Sequence, residues 1–271
     1  MSGSCGASLF DLGALDRLGR GDSPIHRLDP RAKLLATLAF ASAVVSMDKY
    51  ALGGLLPFFI FPLAILILAR IPAGLVARRL AMVAPFALMV GMFNPLLDRE
   101  ILFHAGGWGI SGGWVSFISI LLRFTLTIGA LVLLVATTSM PSIGAAAERL
   151  GAPRIFVAQI IGLYRYLFLL TEESERTLRA WRLRSAHGRP PSWRIFARIL
   201  GHLLLRAIAR AGRVYEAMRC RGYEGELKMI GALHFRSCDA VFLAGWLAIF
   251  LGLRFLHPAE ALGSLALGMM R

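Results

Sequence analysis

Five apolar stretches organise the chain: Leu34–Met47, Ala51–Ala69, Leu80–Leu97, Trp114–Thr138 and Cys238–Leu256. Crossing a hydrocarbon core of about 30 Å takes about 20 apolar residues at about 1.5 Å each. Ala51–Ala69, Trp114–Thr138 and Cys238–Leu256 meet that length, Leu80–Leu97 is within tolerance, and Leu34–Met47 is short. The short stretch either extends backwards through Arg31 and Lys33, whose long stems can snorkel to the interface, or forms half of a broken helical hairpin. The expected fold is all-α, a polytopic membrane protein with about five transmembrane helices. Its organisation is an N-terminal segment 1–33, four membrane helices within 34–138, a hydrophilic block 139–237, and a last membrane helix with its tail, 238–271.

Composition agrees with the pattern. Hydrophobic residues are 57% and charged residues 17% of the chain, with a mean hydropathy of +0.65. These values exclude a disordered chain, a disulfide scaffold and almost every soluble enzyme. The first thirty residues lack an apolar core and carry Asp11, Asp16 and Asp22, so they do not read as a secretory signal. The chain is expected to begin in the cytoplasm and insert by its own first hydrophobic helix. Cys5, Cys220 and Cys238 imply neither a disulfide framework nor a thiolate metal site.

The net charge is +14, from 30 basic and 16 acidic residues, and only Lys33, Lys49 and Lys228 are lysines. No nucleic acid partner is needed to explain it, because cytoplasmic loops of membrane proteins are enriched in Arg and Lys. Arg17, Arg20, Arg27, Arg31 and Lys33 precede the first span, and Arg70, Arg78 and Arg79 separate the second from the third. The block Ser139 to Ser237 holds 17 basic and 7 acidic residues, a net +10. With five spans all three basic regions fall on one side. The N-terminus and the block are expected in the cytoplasm of a bacterial inner membrane.

Within the block, Ser139 and Pro141 open a short helix that Gly151-Ala152-Pro153 closes. Arg154–Leu170 is apolar around Tyr164-Arg165-Tyr166 and reads as an interfacial helix or a sixth span; a sixth span would upset the sidedness of the basic regions, so the interface is expected. From Thr171 the pattern turns to charged helix, ended by Gly188 and Pro190-Pro191. A second helix runs from Ser192 to about Arg221, stopping at Gly222. Arg194, Arg198, His202, Arg206 and Arg210 recur every four residues along one ridge. Ile195, Ile199 and Leu203, with Phe196, Leu204 and Ile208, form the apolar face beside it. Taken alone, this is a basic amphipathic helix suited to the anionic surface of a lipid bilayer.

The two helices end in one pattern. Ala180-Trp181-Arg182-Leu183-Arg184-Ser185 and Ala217-Met218-Arg219-Cys220-Arg221-Gly222 both read Ala-x-Arg-x-Arg-small, 37 residues apart. Arg is favoured at a helix C-terminus by the macrodipole and is free to project there. Two Arg-tipped helices on one face suit two equivalent acidic pockets, such as a dimeric partner supplies.

Ile25-His26-Arg27-Leu28-Asp29-Pro30-Arg31-Ala32-Lys33, Tyr164-Arg165-Tyr166 and Arg213-Val214-Tyr215-Glu216-Ala217-Met218-Arg219-Cys220-Arg221-Gly222-Tyr223 resemble the T component of energy-coupling-factor transporters, of the CbiQ cobalt-transport type. The resemblance covers nearly the whole chain. It implies a membrane scaffold, not itself an enzyme, whose long cytoplasmic coupling helices dock on two ABC-type ATPases while its membrane helices hold a separate substrate-binding membrane subunit. ATP and magnesium would be bound by those ATPases, and this chain would carry no cofactor. The family's paired Ala-Arg-Gly motifs fall on Leu183-Arg184-Ser185 and Cys220-Arg221-Gly222. The Arg is kept in both; Ala is kept in neither, and Gly becomes Ser in the first. The docking role passes to Arg184 and Arg221, with Arg182, Arg219, Ala180, Ala217, Ser185 and Gly222 around them. The cargo it implies is cobalt or nickel.

Motifs of other chemistries are absent or incomplete. The chain has no Gly-x4-Gly-Lys-Ser/Thr loop, no His-Glu-x-x-His and no Cys-x-x-Cys. Asp98, Glu100 and His104 share an outer loop that reads as polar rather than metal-binding, and His26 reads as interfacial. Ser46-Met47-Asp48-Lys49 matches Ser-x-x-Lys without its companion motifs. Gly109-Ile110-Ser111-Gly112-Gly113 resembles the nucleophile site of rhomboid intramembrane proteases, with His257 expected on the same side of the membrane. The plainer reading is a Gly-rich turn capping the fourth span. An intramembrane protease and a membrane-surface structural protein are thus the rival classes. Arg123, within the fourth span, must face protein or water and is assigned to a contact with the substrate subunit or a neighbouring helix.

Overall fold

The computed structural model describes residues 19, 21, 23–48, 52–93, 101–105, 108–185, 192–223 and 235–255, with 101–105 and 108–111 described by backbone alone. Nine α-helices lie among them. They are α1 Pro30–Val45, α2 Leu52–Leu55, α3 Ile60–Leu68, α4 Ala73–Met92, α5 Gly112–Thr137, α6 Met140–Arg149, α7 Arg154–Arg184, α8 Trp193–Cys220 and α9 Ser237–Phe255. The chain forms two compact units, one holding α1–α5 and α9, the other α6–α8.

In the first unit, α1 begins at Asp29, whose carboxylate accepts the Arg31 N–H at 2.8 Å, with Pro30 in the first turn. The helix does run back through Arg31 and Lys33, but Lys33 does not snorkel. It is 5% exposed, and its Nζ donates to the Thr137 carbonyl at 2.9 Å. Thr137 is the last residue of α5, so the ammonium meets an end-of-helix carbonyl and the negative end of the helix dipole.

The second apolar stretch is not a regular α-helix throughout. It breaks into α2, a 3₁₀ turn at Leu56–Phe59 and α3. Gly53-Gly54 weakens the helix, and Pro57 at the start of the turn has no N–H to donate. Helix α4 starts at Ala73 rather than Leu80, because extended Pro72 sets the N-cap and draws Arg78 and Arg79 into the helix. It packs on α5 through Gly91, where an added Cβ would fall 2.8 Å from Phe117 Cδ2. Ile101–Ala105 and Trp108–Ser111 pair as a short antiparallel hairpin leading into α5, where a simple Gly-rich turn was expected. The core is aromatic: Phe40 lies 4.7 Å from Phe61 and 5.4 Å from Phe250, centroid to centroid, and joins α1, α3 and α9.

Helices α4, α5, α7 and α9 are long and apolar enough to cross a membrane by length and composition, while α1 and Gly53–Leu68 are shorter. The set differs from the five stretches read from sequence. Arg154–Leu170 and the charged Thr171–Arg184 form one continuous 31-residue helix. The fold is that of a polytopic all-α membrane protein.

In the second unit, α6 ends at Arg149 and the chain reverses through Gly151 (φ 105°), with Ala152 N–H donating to Ala147 O and Gly151 N–H to Glu148 O. Helix α6 then packs closely on α7. A Cβ on Gly144 would fall 2.7 Å from Ile161 Cδ1.

Candidate functional site

The two Ala-x-Arg-x-Arg-small sequences both close helices, in different geometries. At the end of α7, Ser185 is the C-cap in extended conformation (φ −88°, ψ 115°), its N–H donating to Trp181 O at 3.0 Å and its hydroxyl to Arg182 O at 3.1 Å. Arg182 and Arg184 therefore occupy the last turn. At the end of α8, Arg221 is itself the C-cap and Gly222 follows at φ 78°. Gly222 N–H donates to Arg219 O and Tyr223 N–H to Met218 O, both at 3.0 Å, the paired bonds of a Schellman motif. This explains the Ser/Gly difference between the copies. The extended position accepts any residue, whereas the left-handed one favours glycine.

Arg182, Arg184, Arg219 and Arg221 are exposed, as are Ala180 and Ala217. Leu183, between the first pair, is 84% exposed. Among the described residues no carboxylate pairs with any of the four arginines. Each sits at the carbonyl end of a helix, where the macrodipole favours its charge.

Behind the tips, α8 carries the expected ridge: Arg194, Arg198, His202, Arg206 and Arg210 are all exposed. Arg206 bonds Glu173 of α7 at 2.6 Å and so links the two long helices. The apolar face divides. Ile195, Ile199, Leu203, Ala207, Val214 and Met218 are half-buried, while Leu204 and Ile208 stay about 60% exposed.

Arg123 lies in the first unit, at the C-terminal end of α1. Its Nη1 donates to Val45 O at 3.0 Å, its Nη2 to Asp48 O at 2.7 Å and its Nε to Ser119 Oγ at 3.2 Å. Val45 O is an orphan acceptor at the end of α1 and Asp48 O belongs to the segment just after it, which accounts for a guanidinium inside an apolar helix. His257, Asp98 and Glu100 lie outside the described residues, and Ser111 and His104 are described by backbone alone.

A buried polar cluster escaped the sequence reading. Asp239, 2% exposed, accepts the Asp29 N–H at 2.8 Å and the Arg236 N–H at 2.7 Å. One carboxylate thus serves the start of α1 and the start of α9. The available signal was an acidic residue two positions into an apolar helix, and the separation of 210 residues hid its partner.

The family model of the cobalt transport protein CbiQ matches residues 21–230. The energy-coupling factor transporter transmembrane protein EcfT of Bacillus subtilis (strain 168) is 30% identical over 224 residues, 76% of this chain and 82% of the relative. The protein of the same name from Acidaminococcus fermentans is 30% identical over 257 residues, 88% and 94% of the two chains, and that from Lactobacillus helveticus 29% identical over 242 residues, 82% and 84%. With most of its length matched by the family model and by these transmembrane proteins, the chain belongs to the CbiQ cobalt-transport-protein family, as a T component of the energy-coupling-factor class.

Proposed function

We propose that the chain is the coupling scaffold of an ATP-driven importer of cobalt or nickel, docking two ABC-type ATPases through Arg184 and Arg221 and holding a separate substrate-binding membrane subunit. It is a non-catalytic membrane component; ATP and magnesium belong to the ATPases. The observation that carries this reading is the pair of long helices, 31 and 28 residues, each ending in exposed arginines that have no carboxylate partner among the described residues.

The chemistry follows from the side chain. A guanidinium presents a planar fork of donors and meets carboxylates in charge-assisted bonds stronger than neutral ones. Closure of an ATPase pair on ATP moves its two docking grooves relative to each other. Helices held at their tips carry that displacement as near-rigid rods. In this reading 139–237 is the cytoplasmic coupling region of a bacterial inner-membrane protein, and 34–138 with 238–271 form the membrane part. Cargo selection lies with the substrate subunit.

The test is ATP-driven uptake of labelled Co²⁺ and Ni²⁺ into proteoliposomes holding the whole complex. Removing one docking arginine leaves a buried carboxylate unpaired, at a cost of about 2–5 kcal/mol. Arg221→Ala is therefore expected to abolish uptake at ATPase concentrations that saturate the wild type. Unchanged uptake by Arg184→Ala plus Arg221→Ala would refute the docking role.

A further inference from the structure

Between α7 and α8 lies a cavity of about 250 Å³, walled by Leu169, Leu170 and Leu203 and by Arg206, Arg210 and Arg213. It sits where α7 changes character, between the apolar Arg154–Leu170 and the charged Thr171–Arg184. Glu173 neutralises Arg206. Arg210 and Arg213 are exposed and have no carboxylate partner among the described residues. The cavity thus joins two uncompensated guanidiniums to a leucine wall.

From that wall an apolar stripe continues along α7. Phe156, Ile160, Leu163 and Leu170 follow at spacings of four, three and seven, one face of a helix, and are 66%, 58%, 71% and 40% exposed. At about 1.5 Å per residue the stripe is about 21 Å long, more than the roughly 15 Å of hydrocarbon in one leaflet. A ligand fitting both parts has an anionic head and an apolar tail. Inorganic phosphate satisfies the arginines and leaves the stripe bare.

We propose that this cavity binds one anionic phospholipid, its phosphate held by Arg210 and Arg213 and its acyl chain laid along Leu170, Leu163, Ile160 and Phe156. The site is separate from the helix tips, since Arg213 lies two turns before Arg221. It does not depend on what the tips dock against.

The test is native mass spectrometry of the full chain in mild detergent, titrated with phosphatidylglycerol, phosphatidylcholine or inorganic phosphate. Wild type is expected to retain one phosphatidylglycerol in preference to phosphatidylcholine, with millimolar phosphate failing to displace it. Arg210→Gln plus Arg213→Gln should weaken retention about thirtyfold, the equivalent of about 1 kcal/mol per arginine. Arg194→Gln plus Arg198→Gln removes the same charge from the same helix outside the cavity and should leave retention unchanged. Equal circular dichroism of both pairs confirms folding. Equal weakening by the two pairs, or equal retention of phosphatidylcholine, overturns the proposal. Displacement by inorganic phosphate would show a free-anion site and overturns it too.

Discussion

Asp239→Ala removes the acceptor that joins two helix starts far apart in sequence. The carboxylate is buried, and it receives backbone N–H groups from Asp29 at 2.8 Å and Arg236 at 2.7 Å. Each donor left without an acceptor costs about 1–3 kcal/mol, so the substitution is expected to cost about 2–6 kcal/mol in all. Asp239→Asn keeps one carbonyl oxygen and should cost about half as much. For a chain of this size 1 kcal/mol moves the midpoint by about 2–4 °C. The thermal midpoint of the purified chain in detergent should therefore fall by about 4–24 °C for Ala and by an intermediate amount for Asn. A midpoint unchanged in Asp239→Ala, or an Asn variant as damaged as Ala, would refute the two-acceptor account.

Three further outcomes follow from the geometry. Gly222→Ala puts a Cβ on a left-handed residue with open space around it, so only backbone strain of about 1–2 kcal/mol is added. ATPase retention should drop, whereas Gly151→Ala, equally left-handed but at the end of α6, should destabilise the chain without selective loss of ATPase. Phe40→Ala leaves a cavity among Phe58, Phe61 and Phe250 and is expected to cost about 3–5 kcal/mol, against under about 1.5 kcal/mol for the milder Phe40→Leu, read by thermal unfolding. Glu173→Gln breaks an exposed ion pair with Arg206 and should cost no more than about 1 kcal/mol by the same assay.

The helices of the hydrophilic block were legible because their boundaries are written in local chemistry. Ser192 and Gly222 mark the ends of α8, and the four-residue recurrence from Arg194 to Arg210 gives its exposed ridge. The repeat at the two tips was legible as well, though not its two geometries, since φ at Ser185 and Gly222 depends on hydrogen bonds that residue types alone do not determine. Apolar length alone does not fix where the regular helices begin and end. Ala51–Ala69 has the length of a span, and Pro57 opens a 3₁₀ turn inside it, leaving Gly53–Leu68 as a shorter apolar helix. Arg154–Leu170 reads as an interfacial helix or a sixth span, and residue types do not show that it joins the charged segment from Thr171 in one uninterrupted helix. Lys33 reads as a snorkelling residue and Arg123 as a charge needing a partner. Both meet carbonyls at or just past the ends of other helices, which only tertiary packing brings into reach.

The most direct measurement of the coupling account is purification of the chain from its own membranes in gentle detergent, beside Arg184→Glu plus Arg221→Glu. The account predicts that two ABC-type ATPase subunits co-purify with the wild type and are lost from the double variant, while its substrate-binding membrane subunit stays bound. ATPases absent from the wild type, or retained in full by a variant with both tips reversed in charge, would contradict it.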